Sequence, residues 1–333
     1  MTKNDAQLPS LPDPTSALRR VIASVGRSDD DLEPADLYAL AGLANSDSSM
    51  RSELDQLDPS ARFALFDQLR ETAAGPGGFD FTPLFVAAMQ DDDLSVRSLA
   101  AGALAMAESP GATAALLEAA RSTEEDDEVR REAVAALGDV AMRIELGWAS
   151  SESAESVVDA LHAIAVDVRE DESLRAGAIA AVGVISDGWV AELIDDAFYS
   201  DSAALHLGAV QAMGRNADLV WLPLLEGSIT AEDVDEQIAA AQALGEIGSE
   251  DGVPILVDLF DDPSAEMELI QAAIGALGEI GGEEAVEELE RLRTHPAADV
   301  RAAAQDALEN ASWLDEALPA DDADAAFAGD EQW

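Results

Sequence analysis

Cysteine is absent from the 333 residues, so no disulfide, thiolate zinc site or cysteine nucleophile can be built. Lysine occurs once, at Lys3, and acids outnumber bases 69 to 18, for a net charge of −51. Phosphate recognition runs on Lys and Arg, so this balance argues against nucleic acid as a partner and against anionic membrane surfaces. No apolar run approaches the length of a membrane span, and the opening MTKNDAQLPSLPDP lacks the apolar core of a secretory leader. A cytoplasmic location is therefore expected. Convincing strand-like alternation is also missing, and no P-loop, G-x-G-x-x-G or Ser/His/Asp order is present.

What the chain has in quantity is one pattern. In QIAAAQALG, residues 237–245, take Gly245 as an anchor: Ala240 stands five before it, Ala243 two before it and Leu244 one before it. The same frame recurs at Gly138, Gly183, Gly214 and Gly278, and with Ala105 and Glu309 in the anchor position. The anchors are 33, 45, 31, 31, 33 and 31 residues apart. A period of 31 with short insertions specifies stacked units, each too small to bury its own apolar face. Each unit reads as two helices: V-R-x-x-A-x-x-A-L-G, as in 129–138, then A-x-x-x-L-x-x-L, as in 285–292. The anchor glycine suits a helix end and a tight turn, and the alanines allow close helix approach.

Around the repeats, residues 1–14 carry Pro9, Pro12 and Pro14 and are expected to form a loose tail. Residues 15–57 predict helices outside the repeat register, as an N-terminal cap. The repeat array spans 58–311, about seven to eight units, with an insertion at 142–155 in which Trp148 is expected as a local apolar plug. Residues 312–333 are acidic with no base and are expected to be disordered. Acids spread along the whole chain with almost no lysine are the composition of proteins in molar salt, where the Debye length falls to about 3 Å and self-repulsion is screened. A halophilic archaeon is the expected source, and low salt is expected to loosen the fold.

These units resemble HEAT repeats of the short, Ala-rich PBS-lyase-like class, carried by Val96-Arg97, Val129-Arg130, Leu174-Arg175 and Val300-Arg301, each followed by the alanine frame. The resemblance covers roughly 58–311. It implies an all-α fold, a right-handed α-α superhelix, with the V-R helices lining a concave face, and proteins that are mostly interaction scaffolds or regulatory subunits. It also implies that Arg97, Arg130, Arg175 and Arg301 are structural, each tied to an acid of the adjoining turn; Asp92, Asp93, Asp126, Asp127 and Asp171 are the candidates. His206, Gln237 and Ile270 replace that arginine in three units. A likeness to deoxyhypusine hydroxylase would require paired His-Glu motifs for two irons, whereas His162, His206 and His295 stand apart. The cationic groove of HEAT-like DNA glycosylases is incompatible with the charge. Clustered acids such as Asp91-Asp92-Asp93 read as solvated turns rather than calcium ligands. No catalytic, metal or cofactor residue is expected.

The candidate surface comes from where acids are missing. The nine residues ending at each anchor hold three acids, Glu132, Asp306 and Glu309, among 63 residues, where the chain-wide share would place about 13. Facing away from the second helix of each unit, the pattern places Leu99, Val134, Ile179, Leu207, Val210, Gln211, Ile238, Gln242, Gln271, Ile274 and Gln305. A stripe of aliphatics and glutamines in an acidic protein is expected to dock a protein segment. The expected function is a non-enzymatic, monomeric protein-protein scaffold with a partner the sequence does not name. The alternative is an accessory factor of a modifying or signalling system, phycobilin-lyase-like or a chemotaxis-type adaptor.

Overall fold

The computed structural model describes residues 11–25, 32–43, 48–148, 150–261 and 265–317, with the backbone alone at 48, 151, 261 and 312–317. Most of the expected N-terminal tail and residues 318–333 of the expected C-terminal tail lie outside the described residues. Among the described residues there are eighteen α-helices and no strand, so the fold is an all-α solenoid. The chain forms two compact units, divided after Ile164.

The first unit begins with α1 (Pro14–Ser24), α2 (Pro34–Ala41) and α3 (Ser48–Leu54), which pack on one another. Then come α4 (Pro59–Ala74), α5 (Thr82–Ala88), α6 (Leu94–Ala103), α7 (Pro110–Arg121), α8 (Asp127–Glu145) and α9 (Ala154–Val166). Helices α4, α6 and α8 form one layer, and α5 and α7 cover it. Starts are encoded locally: Asp58 accepts from the Ala61 N–H at 2.9 Å ahead of Pro59, and Ser109 accepts from the Ala112 N–H at 3.1 Å ahead of Pro110. Each such cap satisfies a donor the helix cannot and contributes about 1 kcal/mol. Part of the expected insertion is helix, because α8 continues to Glu145. Trp148 is 70 % exposed, so it is not the plug expected from sequence.

The second unit repeats the arrangement more regularly: α10 (Glu172–Val182), α11 (Gly188–Phe198), α12 (Ala203–Asn216), α13 (Leu222–Ile229), α14 (Val234–Ile247), α15 (Val253–Val257), α16 (Met267–Ile280), α17 (Gly282–Leu292) and α18 (Ala298–Ala317). The repeat helices α10, α12, α14, α16 and α18 lie side by side in one layer, and α11, α13, α15 and α17 back them. Helix α18 runs six residues past Ala311, where the repeats were expected to end.

Gly183 caps the end of α10 as expected, but the other anchor glycines do not end helices. Gly214, Gly245 and Gly278 lie inside α12, α14 and α16. Their work is close approach: a Cβ on Gly245 would stand 2.8 Å from Ala276 Cα of α16, and one on Gly214 would stand 2.6 Å from Ala243 Cα of α14. Each anchor thus receives the alanine two residues before the next anchor, which is why the two positions repeat together.

The expected arginine ladder is also different. Asp93, Asp126 and Asp171 cap α6, α8 and α10, accepting from Ser95, Glu128 and Ser173 N–H at 3.0, 2.9 and 2.9 Å. The arginines instead reach carbonyls left open before their own helix. Arg97 donates to Asp91 O at 2.8 Å, Arg130 to Ala120 O at 3.3 Å, Arg175 to Ala165 O at 3.1 Å and Arg301 to His295 O at 2.7 Å. Gln237 does the same to Ala231 O at 2.8 Å, and His206 lies against Phe198 O. Donation, not charge, is the shared requirement, and Ile270 alone among the three replacements lacks it. Acid pairing survives in part: Arg97 holds Glu125 at 2.9 Å, an acid outside the expected set, and Arg130 lies 3.9 Å from Asp127.

Candidate protein-binding surface on the repeat helices

In an α-helix, residues four apart share a face, so the anchor and the position four before it both point at the neighbouring repeat helix. That rule corrects four of the sequence-derived surface residues. Val134, Ile179, Val210 and Ile274 all stand four before an anchor, and all are buried in the core. They hold the layer together and present no open surface.

The open face belongs to positions seven and three before the anchor and one after it. In α12 these are Leu207, Gln211 and Arg215; in α14, Ile238, Gln242 and Glu246; in α16, Gln271, Gly275 and Glu279. The structure therefore brings Leu207, Gln211, Ile238, Gln242 and Gln271 together on three adjacent helices of one unit. The three glutamines are exposed, and Leu207 and Ile238 are half-buried. Gln305 is exposed on α18 and donates to Glu309 at 3.2 Å. Leu99 belongs to α6 in the first unit, half-buried and separate from this group.

A shallow hollow of about 200 Å³ lies between α12 and α14, bounded by Gln211, Arg215, Gln242 and Glu246. Reasoning from the nine-residue windows missed its charged edge, because Arg215, Glu246 and Glu279 stand one residue beyond them. The carboxyl ends of the two glutamates fold back into the notches that the glycines leave. Glu246 Oε2 is 2.6 Å from where a Gly214 Cβ would stand, and Glu279 Oε2 is 2.5 Å from the corresponding point at Gly245. Both residues keep much of their surface open, so the loss of water is local to the carboxyl. That local burial pushes both carboxyls above the ordinary glutamate range; at Glu246 the Arg215 charge opposes it and the Glu279 charge adds to it. The hollow offers amide donors and acceptors, one cation and one partly desolvated anion, and Glu279 stands in the same row on α16.

The first unit holds a second concavity, a cleft of about 530 Å³ lined in part by Arg70, Phe79, Phe81, Phe85, Ala103 and Met106. Phe79 stacks on Phe81 with centroids 5.9 Å apart and meets Tyr38 edge-on at 5.0 Å. Beside it, Arg143 of α8 is only 7 % exposed and covers the end of α6, donating to the carbonyls of Ala105 and Ala107. Among the described residues no group of three or more His, Asp and Glu side chains is placed to hold a metal, and no helix is long and apolar enough to cross a membrane.

A family model described as HEAT repeats matches residues 50–138, 81–163, 190–271 and 221–309, together well over half of the chain. No curated protein matches the chain in sequence. Similar solved structures include human deoxyhypusine hydroxylase, 17 % identical, covering 79 % of this chain and 96 % of that one with a TM-score of 0.35. The complex of CpcE and CpcF of phycocyanin lyase from Nostoc is 18 % identical over 69 % and 94 % of the two chains, with a TM-score of 0.45. Yeast importin-β (Kap95p) is 14 % identical over 89 % and 46 %, with a TM-score of 0.45. These likenesses are in fold and extend no further.

Proposed function

Because the chain belongs to the HEAT-repeat family, we propose that it is a non-enzymatic, monomeric scaffold that holds a segment of a partner protein on α12, α14 and α16 and works in a cytoplasm of high salt. One observation carries the reading. In a chain with 69 acids, the two residue rows at the centre of this face contain none, and are Leu207, Gln211, Ile238, Gln242, Gln271 and Gly275. Burial does not account for the exclusion, since the three glutamines and Gly275 are exposed. A charge-poor centre with aliphatic and amide side chains is the composition of an interface core, with the charged Arg215, Glu246 and Glu279 at its rim. The amides offer paired donors and acceptors to a partner's peptide groups.

The test is capture from a native lysate at molar KCl with three forms of the tagged chain: unaltered, Gln211→Glu/Gln242→Glu, and Glu287→Gln on the backing helix α17. A protein retained by the unaltered and Glu287→Gln forms and lost with the double variant is the expected result. Equal capture by all three refutes the assignment of this face. A small molecule carried through in place of any protein would replace the scaffold reading with that of an accessory factor in a modifying system.

A further inference from the structure

Gly275 is a mid-helix glycine without an internal reason. It lies in the interior of α16, exposed, and a Cβ added there would meet nothing within 4 Å. Gly214 and Gly245 are occupied by the backbone of the next repeat helix, but Gly275 is not. An exposed helix-interior glycine costs about 0.5–1 kcal/mol relative to alanine, and nothing in the fold offsets that here. It stands in the row of Gln211 and Gln242, the place where a third side chain would otherwise project.

The adjoining row is also unfinished. Among the described residues, the side chains of Glu246, Glu279 and Arg215 make no hydrogen bond or ion pair. Most described arginines donate to a carboxylate or a carbonyl, so one on this face that acts on Glu246 by its charge alone is unusual for the chain. Gly275 and Glu279 are one helical turn apart, about 6 Å along the axis, which is within the reach of a lysine or arginine side chain.

We propose that the partner segment crosses α12, α14 and α16 in extended form, with its backbone lying over Gly275 and a basic side chain reaching between Glu246 and Glu279. This rests on the assignment of the face to a protein partner and adds the partner's chemistry. The missing side chain at 275 lets a backbone come close, while Gln211 and Gln242 pair with peptide groups along the way. The cation meets two carboxylates that have already lost part of their water, so less solvent must be removed when the pair forms. Arg215 repels the same cation from the α12 end, which fixes the direction of the segment.

A phage library of randomised twelve-residue peptides, panned on the intact chain at about 0.5 M KCl and read by sequencing, tests this. The panning is repeated on Glu246→Gln/Glu279→Gln and on Gly275→Leu, each first checked for unchanged helicity. The expected result is peptides enriched at least about tenfold in Lys or Arg at one aligned position, with the enrichment lost on the double glutamine variant and binding lost on Gly275→Leu. Peptides that are blocked by Gly275→Leu yet show no basic preference overturn the cation and leave the face standing. Peptides indifferent to Gly275→Leu, or no selected peptide at all, overturn both.

Discussion

Two glycine-to-alanine substitutions, one helix apart, should change stability in opposite directions. At Gly275 the added methyl enters open space, so the change is the helix propensity of alanine over glycine, a gain of about 0.5–1 kcal/mol. At Gly245 the same propensity gain, about 1 kcal/mol, is set against overlap: the methyl would stand 2.8 Å from Ala276 Cα and 3.0 Å from Ala276 Cβ. The obstructing atoms are the backbone and Cβ of α16, which cannot rotate away as a long side chain can. Inserting a methyl into such packing costs about 1–3 kcal/mol, here at the upper end, leaving a net loss of about 1–2 kcal/mol. The Glu279 carboxylate would be displaced as well, since it lies 2.5 Å from the new methyl. For a chain of this size each kcal/mol moves Tm by roughly 2 °C, so Gly275→Ala should melt about 1–2 °C higher and Gly245→Ala about 2–4 °C lower. Scanning calorimetry of both variants and the unaltered chain, in one molar-KCl buffer, reads the difference. Shifts of the same sign would refute the claim that Gly245 is a packing requirement and Gly275 is not.

Val210→Glu should abolish cooperative folding, not just binding, because it places an unpaired carboxylate in a fully buried site at a cost of about 3–5 kcal/mol; native helicity and a normal melting curve would contradict this. Arg143→Met should cost about 2 kcal/mol by leaving the carbonyls of Ala105 and Ala107 uncovered, seen as a lower denaturation midpoint with an unchanged slope. Glu246 and Glu279 have folded-state affinities for protons above the unfolded value, so the stability they contribute is present at acid pH and is lost as pH rises from about 4.5 through their raised folded pKa values. Glu246→Gln/Glu279→Gln should therefore become more stable relative to the unaltered chain as pH rises through that window, and a pH-independent difference in Tm would count against it. Raising KCl from about 0.1 M to 3 M should raise Tm by screening the −51 charge, and an unchanged Tm would remove the salt-adaptation reading.

Much of the fold was legible because repetition makes the period visible. The Ala and Gly positions recur at 31–33 residues in the second unit, and that alone specified two helices per repeat and the close layer they form. Helix starts are set just as locally, by Asp or Ser before the first turn, but in the sequence three of those aspartates read as partners of arginines instead. Legibility failed wherever the deciding partner lay in another repeat. Gly245 reads as a helix end until Ala276 of the next helix is seen against it. Val210 reads as a half-exposed aliphatic because sequence does not tell which neighbour a helix face meets, and a rotation of one residue, about 100°, separates buried Val210 from exposed Gln211. The arginines suggested ion pairs because acids stand nearby in sequence. Arg97 and Arg130 do lie near acids, but all four donate to carbonyls, and three of the expected aspartates cap helices. Composition and period, which are sums along the chain, determined the class of fold and the acid-poor stripe. Which of those residues reach solvent, and that Arg215, Glu246, Gly275 and Glu279 stand beside them, was decided by the packing of one repeat on the next.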